Sequence, residues 1–233
     1  MKKKRDVTAA EFIAELQSDP TWVESERVRE EARRIRAEEL DAVCEPVLES
    51  LRAAGYPVDS IGHIAGAYAP LPKGMVDVLL AALSTVDEVR IQEGIVRALG
   101  ASHIRYDGKF LTDLFEATTD DTLRWAIANT LSIGKMRGVG AWILDAVQRK
   151  DYGTARQMLP LAAVRHNPPE VANPILVALL SDLPGPVALG LAESGGESEL
   201  VALRAQYEIA EGWERKAIGQ AIGVVERRRQ ERE

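Results

Sequence analysis

The chain has 233 residues, 46% of them apolar and 28% charged, with a net charge of −7. That balance is the ordinary one for a globular protein with a core of its own, and the acidic excess argues against a nucleic-acid groove, which needs concentrated Lys and Arg. Aromatics reach only 5% while Ala and Leu abound, which points to an all-α fold, and the single cysteine, Cys44, excludes an intramolecular disulfide or a thiolate metal cluster.

The basic start MKKKR is expected to be disordered, and the polar residues after it form no secretory apolar segment. The first helix begins at TAAEFIAEL. Thr8 can cap free N–H groups there, Glu11 completes a capping box, and Phe12, Ile13 and Leu16 form the apolar face. The dipeptide before Pro20 ends it. A charged segment follows from Thr21 to Ala54, with a narrow stripe of Trp22, Val28, Ile35, Leu40, Val43, Val47 and Leu51. Glu30 and Arg34 are spaced as an i,i+4 pair, Pro46 is expected to kink the helix or start a new one, and Gly55 ends it. Residues 55–72, rich in Gly and Pro, read as the connection between a charged N-terminal hairpin (1–54) and the rest.

From residue 73 to 230 the chain repeats itself. KGMVDVLLAALSTVDEVRIQEGIVRALG is a helix, a tight turn and a second helix, and DGKFLTDLFEATTDDTLRWAIANTLSIG does the same with Arg124 standing 34 residues after Arg90. A third unit carries Arg156, with Pro160 inside its helix, and a fourth and a fifth follow. Helix pairs at this period cannot bury their apolar faces alone and stack into an α-solenoid. DEVRIQEGIVRALG and DDTLRWAIANTLSIG resemble the second helix of a HEAT-like repeat of the PBS-lyase type, whose pattern is V-R-x-x-A-x-x-A-L-G after an acidic turn. The resemblance implies a solenoid of about five helical hairpins, with residues 1–54 as its polar N-terminal cap and a binding face along the second helices.

The most apolar run, PILVALLSDLPGPVALGLA, is broken by Asp182 and two prolines and cannot span a bilayer, so a cytoplasmic protein is expected. Asp120, Asp121, Arg124 and Trp125 crowd into one stretch like an active site. The recurrence of Asp87 and Glu88 before Arg90, and of Asp151 before Arg156, makes them a helix start instead: acids oppose the dipole, and an arginine lies one turn on. Carboxylates adjacent on one turn do not face each other across a glycoside. No HExxH, G-x-S-x-G or phosphate-loop pattern occurs, and His63, His103 and His166 stand far apart, so no cofactor and no metal are expected.

What remains is a binding surface. Arg90, Arg97, Arg124 and Arg156 would fall along equivalent helices, with Trp125 beside them, and Arg165 and Arg215 would extend the row. The connection ASHIRYDGKF adds His103, Arg105 and Tyr106. The expected function is non-enzymatic: an adaptor or scaffold holding another protein on its concave face, with a basic partner that the acidic balance would neutralise as its narrower form. The alternative is a HEAT-like enzyme or DNA-binding protein acting on modified nucleic acid, which would need a cationic face.

Overall fold

The computed structural model describes residues 8–231. The chain is all-α, with two two-residue strands as its only described sheet. It divides into two compact units at Pro46/Val47.

In the first unit, α1 (Ala9–Ser18) begins as its sequence dictates. The Thr8 hydroxyl accepts from the Glu11 amide at 3.3 Å and the Glu11 carboxylate accepts from the Thr8 amide at 3.0 Å. Its apolar face is open, with Phe12 55% and Ile13 52% exposed. The charged helix α2 (Pro20–Ala53) follows. Arg34 ion-pairs with Glu31 at 2.7 Å and Glu38 at 3.0 Å, one turn away on either side, and not with Glu30 as the spacing suggested. Such exposed pairs contribute little, because water and salt screen them. Pro46 neither ends α2 nor starts a new helix: the helix runs through it to Ala53, although a proline removes one main-chain bond. The apolar residues that follow it, Val47, Leu48 and Leu51, are all buried, and their burial outweighs the missing bond. Gly55, at φ +89°, then turns the chain, and the Tyr56 amide bonds back to the Leu51 carbonyl.

In the second unit, residues 55–72 carry a 3-10 turn (Ile61–His63) and the short helix α3 (Ile64–Ala67). Ile61, Ile64 and Leu71 are buried, and both elements pack on α5. The pairs that follow are α4 (Lys73–Leu83) with α5 (Val89–Gly100), and α6 (Lys109–Ala117) with α7 (Asp121–Ile133). Next come α8 (Gly140–Ala146) with α9 (Leu159–His166), and α10 (Pro169–Leu179) with α11 (Pro184–Ser194). The last is α12 (Glu197–Ile209) with α13 (Gly212–Gln230). A 3-10 stretch, Lys150–Met158, sits between α8 and α9 and packs on α7. Pro160 lies in the first turn of α9, where its missing N–H costs nothing, rather than inside a helix.

The second members of the pairs stack on one another in sequence: α5 on α7, α7 on α9, α9 on α11, α11 on α13. The core runs along this row through Ile95, Leu99, Leu123, Ile127, Leu131, Ala162, Ala163, Val187, Leu191 and Ile218, all with no exposed surface. Close approach needs small residues: a methyl at Gly190 would meet the Pro160 carbonyl oxygen at 2.9 Å. Between the pairs, β1 (Tyr106–Asp107) and β2 (Met136–Arg137) lie parallel, Tyr106 opposite Met136. No helix among the described residues is long and apolar enough to cross a membrane. The MKKKR segment lies outside the described residues.

Candidate partner-binding site

The stretch that looked like an active site is a helix start. Asp120 is the N-cap of α7, its carboxylate accepting from the Leu123 amide at 2.8 Å, and Asp121 stands in the first turn. Glu88 caps α5 in the same way, accepting from the Arg90 amide. The arginines one turn in do not pair with those acids, however. Arg124 donates from Nε to the Phe115 carbonyl at 3.3 Å and lies over the rings of Phe115 and Tyr152, 5.8 Å from each centroid. The previous helix of its own unit therefore holds it, because α6 ends directly against the start of α7.

Around Phe115 an aromatic cluster closes the seam between the α6–α7 pair and the α8–α9 pair. Phe115 is fully buried and meets Trp142 edge-on at 5.1 Å and Tyr152 at 4.9 Å. Glu116 gathers the polar ends: Trp142 Nε1 donates to it at 2.8 Å and the Tyr152 hydroxyl at 2.7 Å, with Arg149 3.8 Å away. Arg149 also lies over the Tyr152 ring at 4.3 Å. Burial, reinforced by the Glu116 carboxylate, pushes the Tyr152 phenol well above its usual range, so it acts as a fixed donor.

On α5, Glu93 is the organising group. Its carboxylate, 11% exposed, takes Arg90 at 3.1 Å and both Nε and a terminal nitrogen of Arg97 at 3.0 and 2.8 Å. The Arg97 guanidinium then lies 5.3 Å above the Trp125 ring on α7. Sequence reasoning missed Glu93, whose position one turn from each arginine was the available signal. Arg97 and Trp125 are only partly covered, so the stack forms an accessible ridge.

Arg156 is not on this surface. Its side chain is 5% exposed, donates from Nε to the Val147 carbonyl at 2.6 Å and pairs with Asp182 of the following unit at 2.6 Å. One terminal nitrogen is buried without a partner. The Arg156 guanidinium, with Lys150 second, holds the Asp182 carboxyl below its ordinary value of 3.8. Asp151, expected near Arg156, pairs with Arg149 at 2.8 Å instead. Arg215 covers the Tyr207 ring at 4.4 Å.

The ASHIRYDGKF connection separates its candidates. Tyr106 is buried and its hydroxyl donates to the Leu99 carbonyl, with burial raising its phenol pKa. His103 and Arg105 are exposed. Arg105 lines a recess of about 360 Å³ with Ile133, Gly134, Lys135, Met136, Arg165 and His166. The candidates thus separate: Arg97 and Trp125 form the ridge with Arg90 on the same Glu93, Arg124, Arg156 and Tyr106 make internal contacts, Arg105 lines the recess and His103 is exposed in the connection. No cluster of three or more potential metal ligands occurs among the described residues. Comparison with protein-family models, with curated proteins and with solved structures finds no match to this chain.

Proposed function

We propose that the protein is a HEAT-like α-solenoid and a non-enzymatic, cytoplasmic binding module that holds a segment of another protein along the row of second helices. The observation that carries this reading is the unbroken stacking of α5, α7, α9, α11 and α13, each backed by one helix of its own pair. Such an array offers a long face rather than a cleft, and its rigidity keeps the ordering cost of binding on the partner's side. The Arg97–Trp125 stack supplies the residue types that anchor interfaces: a rigid aromatic and a guanidinium already oriented by Glu93.

The reading is tested by quantitative affinity enrichment from the source cell with wild type and an Arg97→Ala/Trp125→Ala variant of matched helicity. One protein bound stoichiometrically by the wild type and weakened at least about tenfold in the variant supports it. Co-purification of nucleic acid or metabolite alone, with no protein sensitive to the two substitutions, overturns it.

A further inference from the structure

The recess beside β1 and β2 is lined by cations and by no carboxylate, although the chain as a whole is acidic. Arg105, Lys135 and Arg165 stand at 30-residue intervals, each in the connection or helix end that closes one unit, and all three line the same cavity with His166. Arg165 is occupied: its guanidinium forks onto Glu193 and donates to the Ser132 carbonyl at 2.7 Å. His166 donates from Nε2 to the Leu131 carbonyl at 2.8 Å, which leaves Nδ1 without a partner among the described residues. Arg105 and Lys135 are exposed and have no carboxylate partner among the described residues.

The strand pairing brings these two cations to the same wall. Tyr106 pairs with Met136 and Asp107 with Arg137, and the Tyr106 amide donates to the Lys135 carbonyl, so Arg105 and Lys135 are the residues that lead into the two paired strands, side by side at one wall of the recess. Neighbouring strands lie about 4.8 Å apart, and like charges held at one wall repel. Within the ladder, Asp107 against Arg137 has opposite charges and no such conflict. A dianion seated between Arg105 and Lys135 turns the repulsion into two attractions, with the arginine fork suited to two oxygens and the lysine acting as a point charge.

We propose that this recess binds a phosphate monoester dianion, held by Arg105 and Lys135 with His166 at its edge. About 360 Å³ is more room than a bare phosphate needs, and exposed Ile133 supplies an apolar wall for the group that bears it. The bearer is either a phosphorylated protein segment or a small phosphorylated compound. The proposal does not depend on the partner-binding reading, because the purified chain alone is titrated.

The experiment is a calorimetric and thermal-shift titration of the full chain in phosphate-free, low-salt buffer. The probes are inorganic phosphate, a short peptide bearing one phosphoserine, its unphosphorylated twin, and acetate. Phosphate and phosphopeptide are expected to bind and to raise the melting temperature, and Arg105→Ala/Lys135→Ala to lose at least about tenfold in affinity. Arg137→Ala, one residue outside the recess, should bind like the wild type. Lys135→Ala alone should melt no lower than wild type without ligand, since its exposed side chain has no carboxylate partner among the described residues, which separates lost binding from lost folding. A phosphopeptide preferred at least tenfold over inorganic phosphate identifies a protein source, and equal affinities identify a small compound. Absence of phosphate binding below about 10 mM, acetate binding as tightly as phosphate, or an unchanged double variant overturns the proposal.

Discussion

Replacing Phe115 should be the most damaging single truncation in the second unit, and the structure says why in parts that can be measured separately. The ring has no exposed surface and meets Trp142 and Tyr152 edge-on at 5.1 and 4.9 Å. Phe115→Ala loses the transfer energy of the ring and leaves a cavity whose lining is fixed by the Glu116 bonds to Trp142 and Tyr152, so collapse is restricted and the cost lies near the top of the usual range, about 4–5 kcal/mol. Phe115→Leu keeps most of the apolar volume but loses both edge-on contacts, at about 0.5–1.5 kcal/mol each, giving about 1–3 kcal/mol. Urea unfolding followed by circular dichroism, with unchanged slope, reads both values. A double-mutant cycle of Phe115→Leu with Tyr152→Leu should return a coupling of about 0.5–1.5 kcal/mol. A Phe115→Leu variant within about 0.5 kcal/mol of wild type, or a coupling of zero, would refute the claim that the aromatic contacts, rather than bulk burial alone, hold this seam.

Three further outcomes are expected. The buried Thr130 hydroxyl donates to the Val96 carbonyl of the preceding stacked helix at 2.9 Å, so Thr130→Val, nearly isosteric, should cost about 1–2 kcal/mol by denaturant unfolding. Gly190→Ala places a methyl 2.9 Å from the Pro160 carbonyl oxygen, a backbone atom that cannot swing aside, and should destabilise by about 1–3 kcal/mol, whereas Gly223→Ala, with nothing within 4 Å, should be neutral or stabilising. Asp182 has its folded pKa depressed below 3.8 by Arg156 and then Lys150, so its contribution is present above pH 3.8 and lost as pH falls through the lower folded value. Melting temperature against pH should accordingly fall less steeply below pH 3.8 for Asp182→Asn than for wild type, from a lower plateau, and parallel acid limbs would contradict this.

The helix starts were legible in the sequence because capping is local chemistry. The Thr8–Glu11 box and the Asp120 and Glu88 caps depend on residues two or three apart. The arginine partners were not legible, because spacing along a helix reports only what is within reach and not what else arrives there. Arg124 had Asp120 and Asp121 in range yet turned to Phe115 and Tyr152, and Arg156 found Asp182, 26 residues on, at the end of another helix. At Pro46 the local penalty is visible in sequence, while the burial of Val47, Leu48 and Leu51 that carries the helix beyond it is not. The recess has a sequence signal in the 30-residue spacing of Arg105, Lys135 and Arg165, but only the parallel pairing of the strands that follow brings the first two to one recess.

The way successive units meet has a consequence for how the chain is built. Several of the last carbonyls of the stacked helices are finished by side chains that come later in the sequence, although the Ser194 carbonyl of α11 is met by the earlier Asn173. Tyr106 bonds to Leu99, His166 to Leu131, Arg165 to Ser132, and Arg228 to Ala192 and Gly195. During synthesis each of these helix ends therefore waits, with orphan acceptors, until the residues that close it have left the ribosome. Shortening the array is directional for the same reason. Trimming from the C-terminal side unseals the helix before the cut, so a chain ending after α12 would leave the Ala192 and Gly195 carbonyls without Arg228 as well as losing α13.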